Sequence, residues 1–217
     1  MIVSLFGASG RTGRAFIAAA SAENIPLRLH YRSAPDDVAP ELATVVVGAL
    51  KDPTVVREVL RSTDAVVIVF GPRPNARDTI FCAKATKAIL DGMKTQTPKR
   101  VLCVTGAMVG TLSQHLSLRM KVAALWHRRT GNEELTDDRV EQERLLRSSR
   151  MEWTIVKPPT LTDSTVPEQC LAASDLKVGP TSQISRTALA QRLVAELRDR
   201  QFVHADMYVR GVAPYRS

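Results

Sequence analysis

A short apolar run near the start of the sequence is followed directly by a glycine-rich turn. Residues 2–6 have the length of a strand, and Gly7, Gly10 and Gly13 follow them at GxxGxxG spacing. In a strand–turn–helix unit such glycines permit the tight turn, the approach of backbone to a pyrophosphate, and close packing of the helix on the strand. The N-terminus of the next helix offers unpaired N–H groups to phosphates. The opening therefore predicts a dinucleotide-binding unit.

A second strand ends on a basic residue at an informative distance from this turn. Residues 27–31 alternate in polarity, and Arg32 follows 19 residues after Gly13. NAD-selective sites usually carry a carboxylate about 20 residues on, whereas an arginine accommodates the 2′-phosphate of NADP. A guanidinium pairs with phosphate bidentately, which a carboxylate cannot imitate. Arg32 therefore favours NADP(H), the alternative being a solvated arginine in a loop, and Arg11 adds positive charge within the turn.

The rest of the chain alternates between strand-like and helix-like segments. Alternation of this kind predicts the α/β class, with right-handed βαβ units forming a doubly wound parallel sheet in a single Rossmann-like domain over residues 1–217. Asp52 before Pro53 predicts one helix start, and Thr136 with the two following aspartates predicts another. The predicted strands are 2–6, 27–31, 44–47, 65–70, 100–105, 152–156 and 206–210, and the predicted helices are 11–21, 53–61, 76–92, 136–148 and 186–199.

The composition narrows the range of functions. The net charge is +8, but the basic residues are dispersed and no zinc-finger spacing accompanies them, so nucleic acid is not an expected partner. The longest apolar run has the length of a strand, and neither a membrane span nor a signal peptide is expected. The expected partner is a small-molecule substrate, and the expected protein is a cytoplasmic monomer or small homo-oligomer.

The cysteines and acidic residues predict neither disulfides nor a metal site. Cys82, Cys103 and Cys170 are far apart in sequence, which fits buried thiols in a reducing compartment. No metal site is expected at the acidic cluster, because no histidine or cysteine spacing accompanies it. The cluster comprises Glu133, Glu134, Asp137 and Asp138.

Residues 107–135 break the alternation and form an insertion after a predicted strand. Long insertions at the carboxyl edge of such a sheet are commonly functional, since the ligand crevice lies there. Met120, Leu125 and Trp126 are candidates to line a pocket for a flat or apolar substrate. The segment is interpreted either as a lid or as an amphipathic helix that covers the sheet.

Motifs spread along the chain together resemble a known family, the atypical short-chain dehydrogenase/reductases with an NAD(P)H-binding (NmrA-like) domain. The resemblance is strongest to the flavin reductase/biliverdin reductase B branch. The motifs are GASGRTG (7–13), YRS (31–33), VVVG (45–48), DAVVIVFGPR (64–73), TDD (136–138), RLLRSS (144–149), WTIVKPP (153–159) and GPTSQIS (179–185).

The resemblance implies NADP(H) as the cofactor and assigns its contacts. It implies that the glycine turn cradles the pyrophosphate and that the 2′-phosphate lies against Arg32 and Ser33. The residues implied to contact the pyrophosphate are Gly7, Ser9, Gly10, Arg11, Thr12 and Gly13. Those implied for the adenosine side are the Leu50 backbone, Phe70, Gly71 and Arg73. Those implied for the nicotinamide side are Thr105, Gly106, Pro158, Pro159 and Thr160.

Three positions depart from the family pattern. Ala49 stands where an aspartate usually accepts from the adenine amino group, and the lost hydrogen bond is worth about 1 kcal/mol. Gly106 stands where a catalytic-type serine is often found. Leu135 and Arg139 align with the tyrosine and lysine of the YxxxK dyad, so the usual proton donor is missing.

The missing acid limits the chemistry that the resemblance allows. A flavin or quinone-like acceptor delocalises incoming charge and takes its proton from water, whereas an isolated ketone needs an acid. If a side chain of the protein donates the proton, His127 is the first candidate and His115 the second, because both lie in the insertion and histidine titrates near neutrality. Arg139 is a candidate to bind an anionic substrate group, the alternative being a solvated ion pair with Glu143.

These features predict an NADPH-dependent reductase of a flavin, a tetrapyrrole or another conjugated carbonyl or quinone. Hydride transfer would depend on proximity, which can contribute several kcal/mol without the dyad. Two alternatives stay open: a non-catalytic NADP(H) sensor that binds a partner protein, and an isomerase or tailoring enzyme of a biosynthetic pathway on the same fold.

Overall fold

The folded chain alternates strands and helices along most of its length. The computed structural model describes residues 1–35, 39–71, 81–110, 118 and 133–212. Its elements, in chain order, are β1 Val3–Phe6, α1 Arg11–Ala22, β2 Leu27–Tyr31, β3 Ala43–Val47, α2 Pro53–Leu60, β4 Ala65–Ile68, α3 Phe81–Met93, β5 Arg100–Val104, α4 Glu133–Arg147, β6 Glu152–Lys157, β7 Thr160–Thr162, β8 Gln169–Ala173, β9 Gln183–Ser185, α5 Arg186–Asp199 and β10 Ala205–Val212.

The main sheet has the strand order β3-β2-β1-β4-β5-β6-β10-β8. All neighbours are parallel except β8, which pairs antiparallel with β10 at one edge. The strand order reverses between β1 and β4. Strands β2 and β3 lie on one side of β1, and the chain then crosses to the other side of β1, where β4 pairs with it. This is the doubly wound, Rossmann-like arrangement that the sequence predicted. Outside it, β7 and β9 form a short parallel pair.

Helices cover the sheet on both faces because its strands are apolar on both sides. On β1, Val3 and Leu5 face the layer that contains α1 and α5, while Phe6 faces the layer that contains α2 and α3. Both sets of side chains are fully buried. Helix α1 packs on α5, and α3 packs on both α2 and α4. Burial on two faces explains the continuous apolar runs in the sequence.

Helix α4 begins at Glu133, one turn earlier than the predicted start at residue 136. The prediction that Thr136 and the two aspartates open this helix is wrong. The buried Asp138 instead accepts hydrogen bonds from the backbone N–H groups of Cys82 (2.8 Å) and Ala83 (2.7 Å), at the start of α3. This carboxylate therefore caps a neighbouring helix, which no local pattern reveals.

Several other boundaries differ by a few residues. The strands predicted to reach residues 70 and 105 end at Ile68 and Val104, where the chain leaves the ladder for the carboxyl edge of the sheet. The cap predicted for α2 is confirmed, since the Asp52 side chain accepts from the Thr54 N–H at 2.8 Å. The predicted start of the third helix at residue 76 lies outside the described residues. Strands β7, β8 and β9 were not predicted.

Candidate functional site

The predicted cofactor residues lie along the carboxyl edge of the main sheet. Arg32 follows β2, Gly7 follows β1, Phe70 lies just beyond β4, Thr105 follows β5 and Pro158 follows β6. These strands are consecutive neighbours, so the fold arranges the residues in one row across the point where the strand order reverses. In open α/β sheets this reversal creates the ligand crevice.

The glycine turn has the backbone geometry that close approach requires. Gly7 has a φ of 102°, and a Cβ at this position would lie 2.7 Å from the Phe70 backbone nitrogen. A Cβ on Gly13 would overlap the Gly7 carbonyl oxygen. Gly10 is the N-cap of α1 and provides no side-chain hydrogen bond to the first turn. The turn and the helix start therefore fit a dinucleotide phosphate.

Arg11, predicted to lie beside the phosphates, makes an ion pair with an acidic residue that sequence reasoning missed. Its Nη1 atom is 2.8 Å from Oδ2 of Asp163, which follows β7. Oδ1 of the same carboxylate is 2.7 Å from Nη1 of Arg186 at the start of α5. The Arg11 side chain is 72% exposed, so water screens this pair and it contributes little to stability.

At the predicted adenosine end, two polar side chains are open to solvent. Arg32 and Ser33 are both exposed where β2 ends. Within the described ranges, no acidic side chain pairs with Arg32. Leu50 is partly buried against the core and follows Ala49, where the resemblance implies an aspartate.

The segment after β5, which is the predicted nicotinamide end, is hydrogen-bonded to a buried ion pair. Glu143 on α4 accepts from the Thr105 hydroxyl at 2.7 Å and from Lys157 Nζ at 2.8 Å. Lys157 Nζ also donates to the Val109 carbonyl at 2.8 Å. The side chains of the pair are only 2% and 4% exposed. The pair therefore fixes both ends of residues 105–109 against β6.

Further contacts extend this network toward β10. Arg147 donates to Glu143 at 3.1 Å and to Oδ1 of Asp206 at 2.7 Å. The Lys157 ammonium lies 5.9 Å from the centre of the Tyr208 ring. Sequence reasoning missed this network. The signal that could have indicated it is Lys157, a charged residue at the end of an apolar strand and directly before two prolines.

Arg139, aligned with the dyad lysine, lies between the ends of β4 and β5. Nη1 donates to Gln142 Oε1 at 2.8 Å and to the Val104 carbonyl at 3.3 Å. A Cβ placed on Gly71 would lie 2.9 Å from Nη2. The alternative of a solvated pair with Glu143 is wrong, because other residues occupy that carboxylate and Arg139 is half-buried.

A buried histidine and two buried cysteines lie outside this network, and the remaining predicted site residues lie outside the described residues. His30 bonds the Gly48 carbonyl through Nε2 at 2.9 Å, and burial lowers its pKa, although the Gly48 contact opposes this. Burial raises the pKa of the Cys82 thiol to about 12 and also raises that of Cys103, so both favour the unreactive thiol form. Outside the described residues lie Arg73, His115, His127, Met120, Leu125 and Trp126.

The described residues were also compared with the requirements of a metal site and of a membrane-spanning helix. In the described ranges, no group of three or more metal-ligating side chains is placed to hold an ion. None of the helices in those ranges has the length and apolar character of a membrane span.

Comparison with solved structures identifies the same fold in several proteins. The oxidoreductase ylbE from Lactococcus lactis matches with a TM-score of 0.79 and 11% identity over 98% of this chain and 92% of that chain. ChuY from Escherichia coli O157:H7, described as an anaerobillin reductase, has a TM-score of 0.77 and 19% identity over 100% and 99%. A short-chain dehydrogenase/reductase from Veillonella parvula in complex with NADP has a TM-score of 0.76 and 16% identity over 96% and 93%.

Comparison with protein families gives a match that covers nearly the whole chain. The matching model describes an NAD(P)H-binding domain and aligns with residues 7–200. This range runs from the first glycine of the turn to the residue after α5, and so includes the whole row of strand ends described above. The chain therefore belongs to the NAD(P)H-binding family, and its fold is that of the atypical short-chain dehydrogenase/reductases.

Proposed function

We propose that the protein is an NADPH-dependent reductase of a conjugated acceptor: a flavin, a tetrapyrrole, or another conjugated carbonyl or quinone. The observation that carries this proposal is the row of strand ends that leads from Arg32, through the glycine turn, to residues 105–109 beside the Glu143–Lys157 pair. In this proposal the row follows an extended cofactor from its 2′-phosphate to its nicotinamide.

The protein's part in the reaction is binding and orientation. Bound NADPH supplies the hydride. The N-terminus of α1 holds the diphosphate, and Arg32 selects the phosphorylated coenzyme. The segment that Thr105 and Val109 tie to Glu143 and Lys157 forms a fixed wall beside the reacting ring. A wall that does not move retains the advantage of proximity between donor and acceptor.

The choice of acceptor follows from the position that would carry the proton donor. Leu135 aligns with the dyad tyrosine, and a leucine cannot donate a proton. A conjugated acceptor spreads the incoming charge and takes its proton from water, so it needs no such donor. The description of ChuY as an anaerobillin reductase supports a tetrapyrrole, and the NADP complex of the Veillonella protein supports the phosphorylated coenzyme.

A second candidate function is a non-catalytic sensor of NADP(H) that binds a partner protein. Ala49, Gly106 and Leu135 favour it, because each replaces a residue type that the resemblance associates with adenine binding or catalysis. A sensor of this kind binds NADP⁺ and NADPH without turnover. An isomerase or tailoring enzyme would instead form product without net consumption of NADPH. A cytoplasmic location and a monomeric or small homo-oligomeric state stay predictions.

The test is to incubate the purified protein with NADPH and, separately, FMN, biliverdin and a soluble quinone, and to follow the nicotinamide absorbance. The proposal predicts multiple turnovers with at least one acceptor and slower turnover with NADH. A matched reaction with a simple aliphatic ketone is expected to give none. Tight binding of both redox forms without oxidation by any acceptor would favour the sensor instead.

A further inference from the structure

Arg139 brings a positive charge to the carboxyl edge of the sheet. Its guanidinium lies between Gly71, beyond β4, and Val104, the last residue of β5. Among the residues that the structure describes, Nη1 donates to two uncharged oxygens, those of Val104 and Gln142. The side chain is half-buried, so water only partly solvates its charge.

The carboxylates next to Arg139 on α4 are occupied by other partners. Glu143, one turn further on, accepts from Lys157, Thr105 and Arg147. Asp138 accepts from two N–H groups at the start of α3. Among the residues that the structure describes, no carboxylate pairs with Arg139. A half-buried cation without a counter-ion is costly, and an anionic ligand would remove that cost.

The cofactor phosphates have other partners in the proposed arrangement. The diphosphate lies at the start of α1, which follows β1, and the 2′-phosphate lies at Arg32, which follows β2. Arg139 lies beyond these two positions, between the ends of β4 and β5. Its Nη2 atom is beside Gly71, which the resemblance assigns to the adenosine side, and its Nη1 atom donates to the Val104 carbonyl, next to the segment assigned to the nicotinamide. That end of the crevice is where an acceptor must approach the cofactor.

We propose that Arg139 binds a carboxylate or phosphate of the acceptor, so that the enzyme prefers anionic conjugated substrates to their neutral analogues. This inference rests on the proposed function for the identity of the acceptor. Nη1 is already used by Val104 and Gln142, so Nη2, beside Gly71, is the part of the guanidinium that donates to an oxygen of such a group. Arg139 would then determine which substrates are held beside the cofactor.

The test measures binding, so that its outcome is separate from turnover. FMN and riboflavin differ by a phosphate, and biliverdin and its dimethyl ester differ by two carboxylates. Each is titrated into protein saturated with NADP⁺, and flavin fluorescence or bilin absorbance gives the Kd. The variants are Arg139→Gln, which removes the charge, and Arg139→Lys, which keeps it. Arg144→Gln is the matched control, because it removes an exposed charge from the same helix.

We expect the wild-type protein to bind the anionic member of a pair about tenfold more tightly, a difference of about 1.4 kcal/mol. Arg139→Gln is expected to abolish this preference, Arg139→Lys to keep part of it, and Arg144→Gln to leave it unchanged. NADP⁺ affinity is expected to stay the same in all three. Competition by inorganic phosphate against FMN in the wild-type protein tests the site without any substitution.

Three results would overturn the inference. One is equal affinity of the wild-type protein for both members of each pair, or no binding of any of them. Another is an equal loss for the anionic and neutral members in Arg139→Gln. A third is weaker NADP⁺ binding with an unchanged acceptor preference, which would place the cofactor's diphosphate at Arg139. Anion-selective binding without turnover would contradict the reductase function and leave the anion site intact.

Discussion

At the scale of the residue, the proposed preference for NADP(H) depends on one exposed guanidinium. Arg32 follows β2, and no acidic side chain in the described ranges neutralises it. Hydrogen bonds to charged groups contribute about 1.5–3 kcal/mol, so Arg32→Asp is expected to weaken NADPH binding by about 10- to 100-fold. NADH affinity is expected to change little, since that coenzyme lacks the 2′-phosphate. Kd values from nicotinamide fluorescence test this, with Arg144→Asp as a charge-matched control; equal losses for both coenzymes would remove the phosphate role.

The substitution at position 49 gives a prediction in the opposite direction. Ala49 lies between Gly48 and Leu50 just after β3, at a position where the resemblance implies an aspartate. Ala49→Asp is expected to restore an acceptor for the adenine amino group and to tighten NADPH binding by about 1 kcal/mol, roughly fivefold. Ala49→Leu is the control for added size, because its side chain has no hydrogen-bond acceptor. If neither variant binds NADPH more tightly than the wild-type protein, the adenine does not lie at this position.

The buried His30 makes folding stability depend on pH. Burial lowers its pKa below the ordinary value of 6.5, so the unfolded chain takes up the proton at a higher pH than the native protein does. The free energy of unfolding therefore falls as the pH drops below about 6.5, by at most about 1.4 kcal/mol per pH unit. Urea unfolding at pH 7.5 and 5.5 measures this loss, and His30→Gln is expected to reduce it. An undiminished loss in the variant would assign the effect to other groups.

At the scale of the element, the Glu143–Lys157 pair joins α4 to β6 and to the segment after β5. Removing one partner of a buried pair leaves an uncompensated charge and costs about 3–5 kcal/mol. Glu143→Gln is thus expected to lower the melting temperature by about 10 °C, given about 2–4 °C per kcal/mol for a chain of this size. Calorimetry or circular dichroism measures the change.

A double variant shows whether the loss comes from the pair itself. In Glu143→Gln with Lys157→Met no unpaired charge is left, so the double variant is expected to be more stable than Glu143→Gln alone. Additive losses from the two substitutions would mean that the groups are not coupled. The Arg144→Gln variant, on the same helix, is expected to melt like the wild-type protein.

The elements that sequence reasoning located are those with a strong local pattern. The strands β1, β2 and β4 are continuous or alternating apolar runs, and Asp52 with Pro53 marks the start of α2 by local capping. Strands β7, β8 and β9 have three to five residues each and depend on pairing with distant segments. The start of α4 was misplaced because Asp138 caps a different helix, a tertiary contact.

In the candidate site, too, local patterns could be read from the sequence, whereas contacts between distant segments could not. The glycine turn and Arg32 could be proposed as cofactor residues from their spacing, because the phosphate-binding pattern is local to one strand–turn–helix unit; their roles stay predictions. The Asp163 bridge and the Glu143–Lys157 pair were missed, because their partners come from elements far apart in sequence. The partners of Arg139 were likewise decided by the competition of several side chains for Glu143, which spacing alone does not disclose.

At the scale of the whole molecule, the fold turns residues distant in sequence into one row of binding groups. Strands β2, β1, β4, β5 and β6 are neighbours in the sheet, and each contributes the residues that follow its carboxyl end. The central claim is that this row binds a nicotinamide coenzyme and that Arg32 selects the phosphorylated form.

Calorimetric titration of the full chain with NADPH, NADP⁺, NADH and NAD⁺ tests that claim most directly. The account predicts saturable, one-to-one binding of NADPH and NADP⁺, with the non-phosphorylated forms weaker by about tenfold or more, equivalent to about 1.4 kcal/mol. Well-folded protein that takes up none of the four, or that binds both coenzyme types with equal affinity, would contradict it.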